Sequence, residues 1–108
     1  AVIQIGEYAR ISYQPLAEVF RAIAPRERRH AELGREGLAR IAANEEGRAA
    51  ARSSVAYWHP RVAAGFGPAG SARYDLLARL GLRHQPNEVL LAEWTAATDA
   101  ILSDLHLT

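Results

Sequence analysis

A chain of 108 residues can build one hydrophobic core and is too short for two. Its composition is 49% apolar, its formal net charge is +1, and all thirteen basic residues are Arg, interspersed with acidic ones. That pattern excludes the basic footprint of a nucleic-acid binder and a polybasic membrane anchor. No apolar run approaches the ~20 residues of a membrane-spanning helix. The absence of Cys removes disulfide frameworks and thiolate chemistry and fits a cytoplasmic protein. Met is also absent, even at position 1, so the expectation is a chain that has been processed or cut from something longer.

The apolar spacing is helical throughout, which predicts an all-α fold. Residues 1–11 read as the last turns of a helix, with Val2, Ile3 and Ile5 apolar. "SYQP" interrupts it, and Pro15 suits the first turn of the next helix. From there Leu16, Phe20, Ile23, Glu27, His30, Gly34, Leu38 and Ile41 trace one helix face, expected to be buried. Pro25 is expected to kink that helix or divide it just before Glu27. Asn44 is a candidate N-cap for a third helix, with Glu45 and Glu46 in its first turn and a weakening near Pro60. "GFGPAGS" reads as a loop, Ser71 as the cap of a short helix, and Gly81 as the glycine that ends it. Asn87, after Pro86, is expected to cap a last helix whose stripe is Val89, Leu90, Trp94, Ala97 and Ile101. One all-α unit over 1–108 is implied, with 1–43 carrying the Glu-x-x-His motif and 44–108 forming the C-terminal helices.

Glu27 and His30 are the pair that invites chemistry. Nine Glu and four His in a chain of this length give such a spacing by chance roughly 0.3 times, so the motif alone says little. Its place on the apolar stripe says more, because a buried carboxylate demands a partner or a metal and an imidazole must satisfy two nitrogens. Residues three apart on a helix point the same way and can hold one ion together. The alternative is ordinary pairing at a helix edge, with Arg26, Arg28 and Arg29 as partners for Glu27 and a carbonyl for His30.

Three stretches together resemble the catalytic A subunit of the bacterial phenylacetyl-CoA epoxidase (ring-1,2-epoxidase) family, in the ferritin-like di-iron superfamily. They are "SYQP…RERRHAELG", with Ser12, Tyr13, Pro15, Glu27, His30 and Gly34; "EGRAAARSSVAYWHPRVAAGFGP", with Trp58, Pro60, Phe66 and Gly67; and "LLARLGLRHQPNEVLLAEW", with Leu80 to Leu82, Asn87, Glu88 and Trp94. The resemblance covers the family's C-terminal half. It implies a ferritin-like helical bundle, here the end of the third bundle helix, the fourth with its Glu-x-x-His, and additional C-terminal helices. It implies Glu27 and His30 as metal ligands, and an iron (di-iron) centre completed by ligands outside this chain. It implies O2 as co-substrate and epoxidation of the ring of phenylacetyl-CoA or a related aromatic acyl-CoA. A related metal-free ferritin-like subunit and a reductase follow as partners, within a homo- or hetero-oligomer. No substrate-binding residue is assigned, and the 108 residues alone are not expected to be active. The second reading is a metal-free ferritin-like scaffold or interaction subunit. The third is a short metal-binding helical protein that self-associates.

Other residues point less far. Glu7 is expected to face away from any metal site, being about nine residues past the position of the family's preceding acidic ligand, half a turn out of phase. Tyr57, Trp58 and His59 form an aromatic cluster suited to wedging a helix end, or to a substrate channel. Trp94 is expected in the core, and His84 and His106 at the surface. Arg10, Arg21 and Arg61 are candidates for CoA phosphates, whereas the Arg/Glu texture of 26–36 reads as a solvated face with pairs such as Glu32–Arg35 and Glu36–Arg40. Ser53 and Ser54 have no base at useful spacing, so a hydrolytic triad is not supported.

Overall fold

The computed structural model describes residues 1–108, and all its regular elements are helices. They are α1 (Val2–Tyr8), α2 (Gln14–Ile41), α3 (Glu45–Ala64), α4 (Ala72–Arg79) and α5 (Asn87–Asp104). No helix is long and apolar enough to cross a membrane.

The helix ends follow from local chemistry. Pro15 occupies the first turn of α2, where its missing N–H costs nothing. The Asn44 side chain accepts from the Gly47 N–H at 2.7 Å, and Glu45 and Glu46 sit in the positive first turn of α3. Ser71 caps α4 by accepting from the Tyr74 N–H at 3.1 Å. Helices α4 and α5 end with the same device. Gly81 (φ 73°) and His106 (φ 58°) are left-handed, and the N–H of the next residue returns to the carbonyl five residues back: Leu82 to Leu77 at 2.9 Å, Leu107 to Leu102 at 2.8 Å. Gly81 suits that backbone; His106 occupies it at a cost.

Three sequence expectations need correction. Of the kink or division expected at Pro25, the division does not occur, since α2 runs unbroken through it, while α3, expected to weaken near Pro60, ends one turn later at Ala64. Both prolines are exposed, so the carbonyls of Arg21 and Ala56, which lose their helical donor, can turn to water. Asn87 does not cap α5; Pro86 stands at the cap, and the Asn87 side chain is buried in a network described below. The stripe of α2 is not buried along its length, because nothing in the chain covers the middle: residues 28–36 are all exposed, as are Leu16 and Ile41.

Packing is concentrated at two ends. At one, the tight α2–α3 turn and the end of α5 bury Ala42, Ala51, Leu102 and Leu107, flanked by Leu38, Val55 and Leu105. Arg52 donates to the His106 carbonyl at 3.0 Å, and Arg35 meets Asp104 at 3.2 Å, fastening α5 to α3 and α2. A β-carbon on Gly47 would lie 1.7 Å from the Ile41 carbonyl oxygen, so only glycine lets α3 begin so close to the end of α2. At the other end α1 lies against the start of α2, with Tyr8 and Phe20 ring centroids 5.1 Å apart and Ile5, Ile11 and Ala17 buried. Ser12 joins this end to α4, its N–H bonding the Gly81 carbonyl at 2.8 Å and its hydroxyl the Leu80 carbonyl at 3.0 Å. Helices α2 and α5 both run from the second end to the first, and α3 runs back the other way.

Candidate functional site

Between the packed ends lies an open groove of about 280 Å³, walled by α2, α3 and α5. Leu38, Val55, Trp58, Val62, Trp94 and Ile101 make it apolar, while Ala31 and Gly34 leave the α2 side shallow. Trp94 is half-buried, held by Phe66 (centroids 5.7 Å) and by the His59 ring (4.7 Å), so the core role expected of it is met only on one side. The stripe of α5 is rotated slightly from the expected one: Leu90, Trp94, Thr98 and Leu102 face inward, and Ala97 faces water. Trp58 is 57% exposed and meets Tyr57 edge to face at 5.0 Å; the Arg61 guanidinium lies 3.6 Å from the centre of the Tyr57 ring. The aromatic cluster therefore divides: His59 is half-buried against Trp94, Trp58 lines the groove while largely exposed, and Tyr57 lies outside it under Arg61.

Glu27 and His30 stand on α2 beside this groove. Glu27 Oε1 and His30 Nδ1 are 3.5 Å apart, with the Glu27 side chain 27% exposed and that of His30 59%. Two donors bound at ~2.1 Å to one ion lie about 3 Å apart at right angles, so the pair can close on a metal with a small rotation. A carboxylate oxygen with an imidazole nitrogen suits iron or manganese. The pair thus fits two positions of such a site. No other His, Asp or Glu of the chain joins them in a group of three. The three Arg residues considered as partners for Glu27 do not take that role: Arg29 turns to Glu32 at 3.0 Å and Glu36 at 3.8 Å. The pairs Glu32–Arg35 and Glu36–Arg40 are not formed, since Arg29 takes both acids and Arg35 reaches Asp104.

The strongest polar constellation is elsewhere and involves Glu7, the acid expected to face away from any metal site. Glu7 is 1% exposed, the most deeply buried large side chain in the chain. Its Oε2 accepts from Arg83 Nε at 3.0 Å, the His84 N–H at 3.1 Å and the Gln85 N–H at 2.8 Å. Arg83 also donates to the Gln85 carbonyl at 3.0 Å and Asn87 Oδ1 at 2.9 Å, and lies over the Tyr74 ring. Asn87 Nδ2 in turn donates to the Pro68 carbonyl at 3.1 Å. Burial alone would push the Glu7 carboxyl up, but the Gln85 N–H, the Arg83 guanidinium and the His84 N–H together hold it below its ordinary value. No buried side-chain nitrogen or oxygen of this network lacks a partner, so this is a structural clasp joining α1, α4 and α5. Glu7 is thereby held by Arg83, His84 and Gln85. The signal for it in the sequence was the four-residue spacing Ile3–Glu7–Ile11, which places the acid on an apolar face.

The remaining basic candidates are scattered. Arg10 pairs with Glu7 and Gln85, and Arg21 donates to the Ala9 carbonyl and Gln14. With Arg61 on Tyr57, the three do not form a phosphate-binding cluster. His84 and His106 are exposed, as expected. Compared with known proteins, the chain matches no family model, no curated protein and no solved structure.

Proposed function

We propose that this chain is the C-terminal part of a ferritin-like di-iron oxygenase that epoxidises the ring of phenylacetyl-CoA or a related aromatic acyl-CoA, with Glu27 and His30 as its ligands. One observation carries the proposal: a carboxylate and an imidazole 3.5 Å apart in the middle of a long helix, the imidazole exposed and the carboxylate partly so. A pair of ligands presented outward in this way is what a helix offers to a centre whose other ligands come from facing helices. The chemistry a di-iron group supplies there is activation of O2 and transfer of one oxygen atom to the aromatic ring, with a reductase providing electrons. This chain's residues contribute an oxygen and a nitrogen donor, and the aromatic groove beside them supplies an apolar wall.

The test is iron content of the protein isolated from its own cells, with Glu27→Ala and His30→Ala variants in parallel. Iron is expected in the parent and lost in both variants, together with O2-dependent turnover of the aromatic acyl-CoA. Unchanged iron in either variant refutes the ligand assignment. Glu7→Gln is expected to leave iron content alone in whatever fraction remains folded.

A second reading, a metal-free scaffold or interaction subunit, is favoured by a different observation. The chain's most elaborate polar network, the Glu7–Arg83–Asn87 clasp, serves architecture, and its apolar residues are spent on an open groove. Parent protein free of iron yet fully folded would support that reading.

A further inference from the structure

Helix α1 starts as no other helix of the chain does. Pro15 opens α2, the capping side chains of Asn44 and Ser71 open α3 and α4, and α5 has Pro86 at its cap and Glu88 in its first turn. At the same position α1 has Ala1, with no side-chain cap and no acid in the first turn. The N–H groups that open a helix need acceptors, and a stretch that supplies none has the chemistry of a helix interior. The packing of α1 sets where its axis leads. It runs antiparallel to α2 after the turn at 9–13, and Tyr8 meets Phe20. Counted back residue for residue from that contact, Ala1 stands opposite Glu27. Coverage of α2 stops at the same place. On the stripe Ala17, Phe20, Ala24, Glu27, Ala31, Gly34 the first four are buried or half-buried and the last two are exposed. Ala31 and Gly34, with Leu38 beyond them, line the groove. On α5, Glu93 shares a hollow with Val2, Ile3 and Gly6. The residues that follow it on that face, Trp94, Thr98 and Ile101, line the groove too. The axis of α1 therefore leads into the groove between α2 and α5.

We infer that α1 is the last part of a longer helix, and that the turns preceding Ala1 occupy the groove and continue the α1–α2 interface along α2. This rests on the oxygenase reading only in taking the chain as the C-terminal part of a longer protein; it needs no iron. Leu38 lies eleven residues beyond Glu27, so about three turns, ~16 Å of helix, span the groove. Ala31 and Gly34 suit a helix laid there. An added β-carbon at Gly34 would meet nothing within 4 Å, which leaves room for two backbones at the close end of the usual 8–10 Å between helix axes. The side chains opposite Leu38, Trp94 and Ile101 are apolar, because those residues offer no partner to a buried polar group. A separate partner laid in the groove would have to end where α1 begins. A continuous helix meets no such junction, and it gives the first N–H groups of α1 the carbonyls they lack.

Disulfide trapping in the full-length protein, kept free of iron by a chelator, tests it. By the same count the fourth residue before Ala1 stands opposite Ala31. A cysteine there and Ala31→Cys are expected to join in an intrachain disulfide on mild oxidation, identified by mass spectrometry of the linked peptides. Leu33→Cys in place of Ala31→Cys, about 200° around the helix, is expected to link at least about tenfold less. A second measurement needs no substitution. Amides of residues 28–36 in the full-length protein are expected to exchange with deuterium within about tenfold of the rate near Leu38. A native chain that begins at Ala1, a link that fails to form or forms equally from Leu33→Cys, or a freely exchanging centre of α2 overturns the inference. Iron content separates it from the oxygenase reading. The link in a protein that never binds iron refutes the oxygenase and leaves the helix standing, and iron without the link does the reverse.

Discussion

Replacing Arg83 with Ala strips the buried Glu7 carboxylate of its only closely bound cation; Arg10 stands 3.5 Å from the other oxygen. Breaking a buried ion pair from one side costs about 3–5 kcal/mol, because the remaining charge stays in the interior without its partner. The N–H groups of His84 and Gln85 would still hold Oε2, which places the loss near the lower end, about 3 kcal/mol. The same change also leaves Asn87 Oδ1 and the Gln85 carbonyl without their donor. In a domain of this size each kcal/mol moves the melting temperature by about 4–8 °C, so Tm should fall by more than about 10 °C. Thermal unfolding followed by far-ultraviolet circular dichroism measures it. Acid adds a second readout. The folded Glu7 carboxyl lies below its ordinary pKa, so its stabilisation is fully present above the unfolded value, about 4.3, and drains away as pH falls through the lowered folded one. The parent should lose stability on acidification through that window, and the Arg83→Ala variant should lose less. A Tm within about 3 °C of the parent, less than one kcal/mol on this scale, or acid curves that run parallel, would refute the clasp as a source of stability.

Three further substitutions probe the ends of the molecule. Gly47→Ala drives a methyl group into the Ile41 carbonyl and should cost about 2 kcal/mol or more by urea unfolding, at the upper part of the overpacking range. His106→Gly relieves a left-handed backbone worth roughly 1–2 kcal/mol, part of which glycine returns through its freer unfolded chain. A net gain of under about 1 kcal/mol is expected in the same assay. Asn44→Ala removes the side-chain acceptor at the start of α3 and should cost about 1 kcal/mol, read as a drop in Tm.

What could be read from the sequence was whatever depends on neighbours a few residues apart. The Asn44 and Ser71 caps, the terminating Gly81 and the helical periodicity are local, and they appear where expected. Whether Pro25 would kink its helix or divide it was not legible, because a proline's cost depends on whether water can reach the carbonyl it orphans, and that is a property of the folded surface. Glu7 and Arg83 lie 76 residues apart, so no local pattern links them, although the apolar neighbours of Glu7 hinted at its burial. Asn87 looked like a cap since it follows Pro86, yet Arg83 and the Pro68 carbonyl compete for its side chain and win. The Glu27–His30 spacing was visible at once, but its degree of burial was not: the stripe that contains it is apolar in pattern and uncovered in this chain.

Packing confined to the two ends leaves α2 in an unusual mechanical position. Helices ordinarily fray from their termini, whereas here both termini are clamped and the span between them carries Pro25, Gly34 and Gly37, each a poor helix former. Backbone amides from about residue 28 to 36 have no neighbour to shield them, so deuterium should enter α2 first in its centre and last near Ala17 and Leu38. Any occupant laid across the groove would reverse that order and lock the centre as firmly as the ends. The helix would then act as a reporter, its exchange profile registering whether the face is covered without any label on the covering partner.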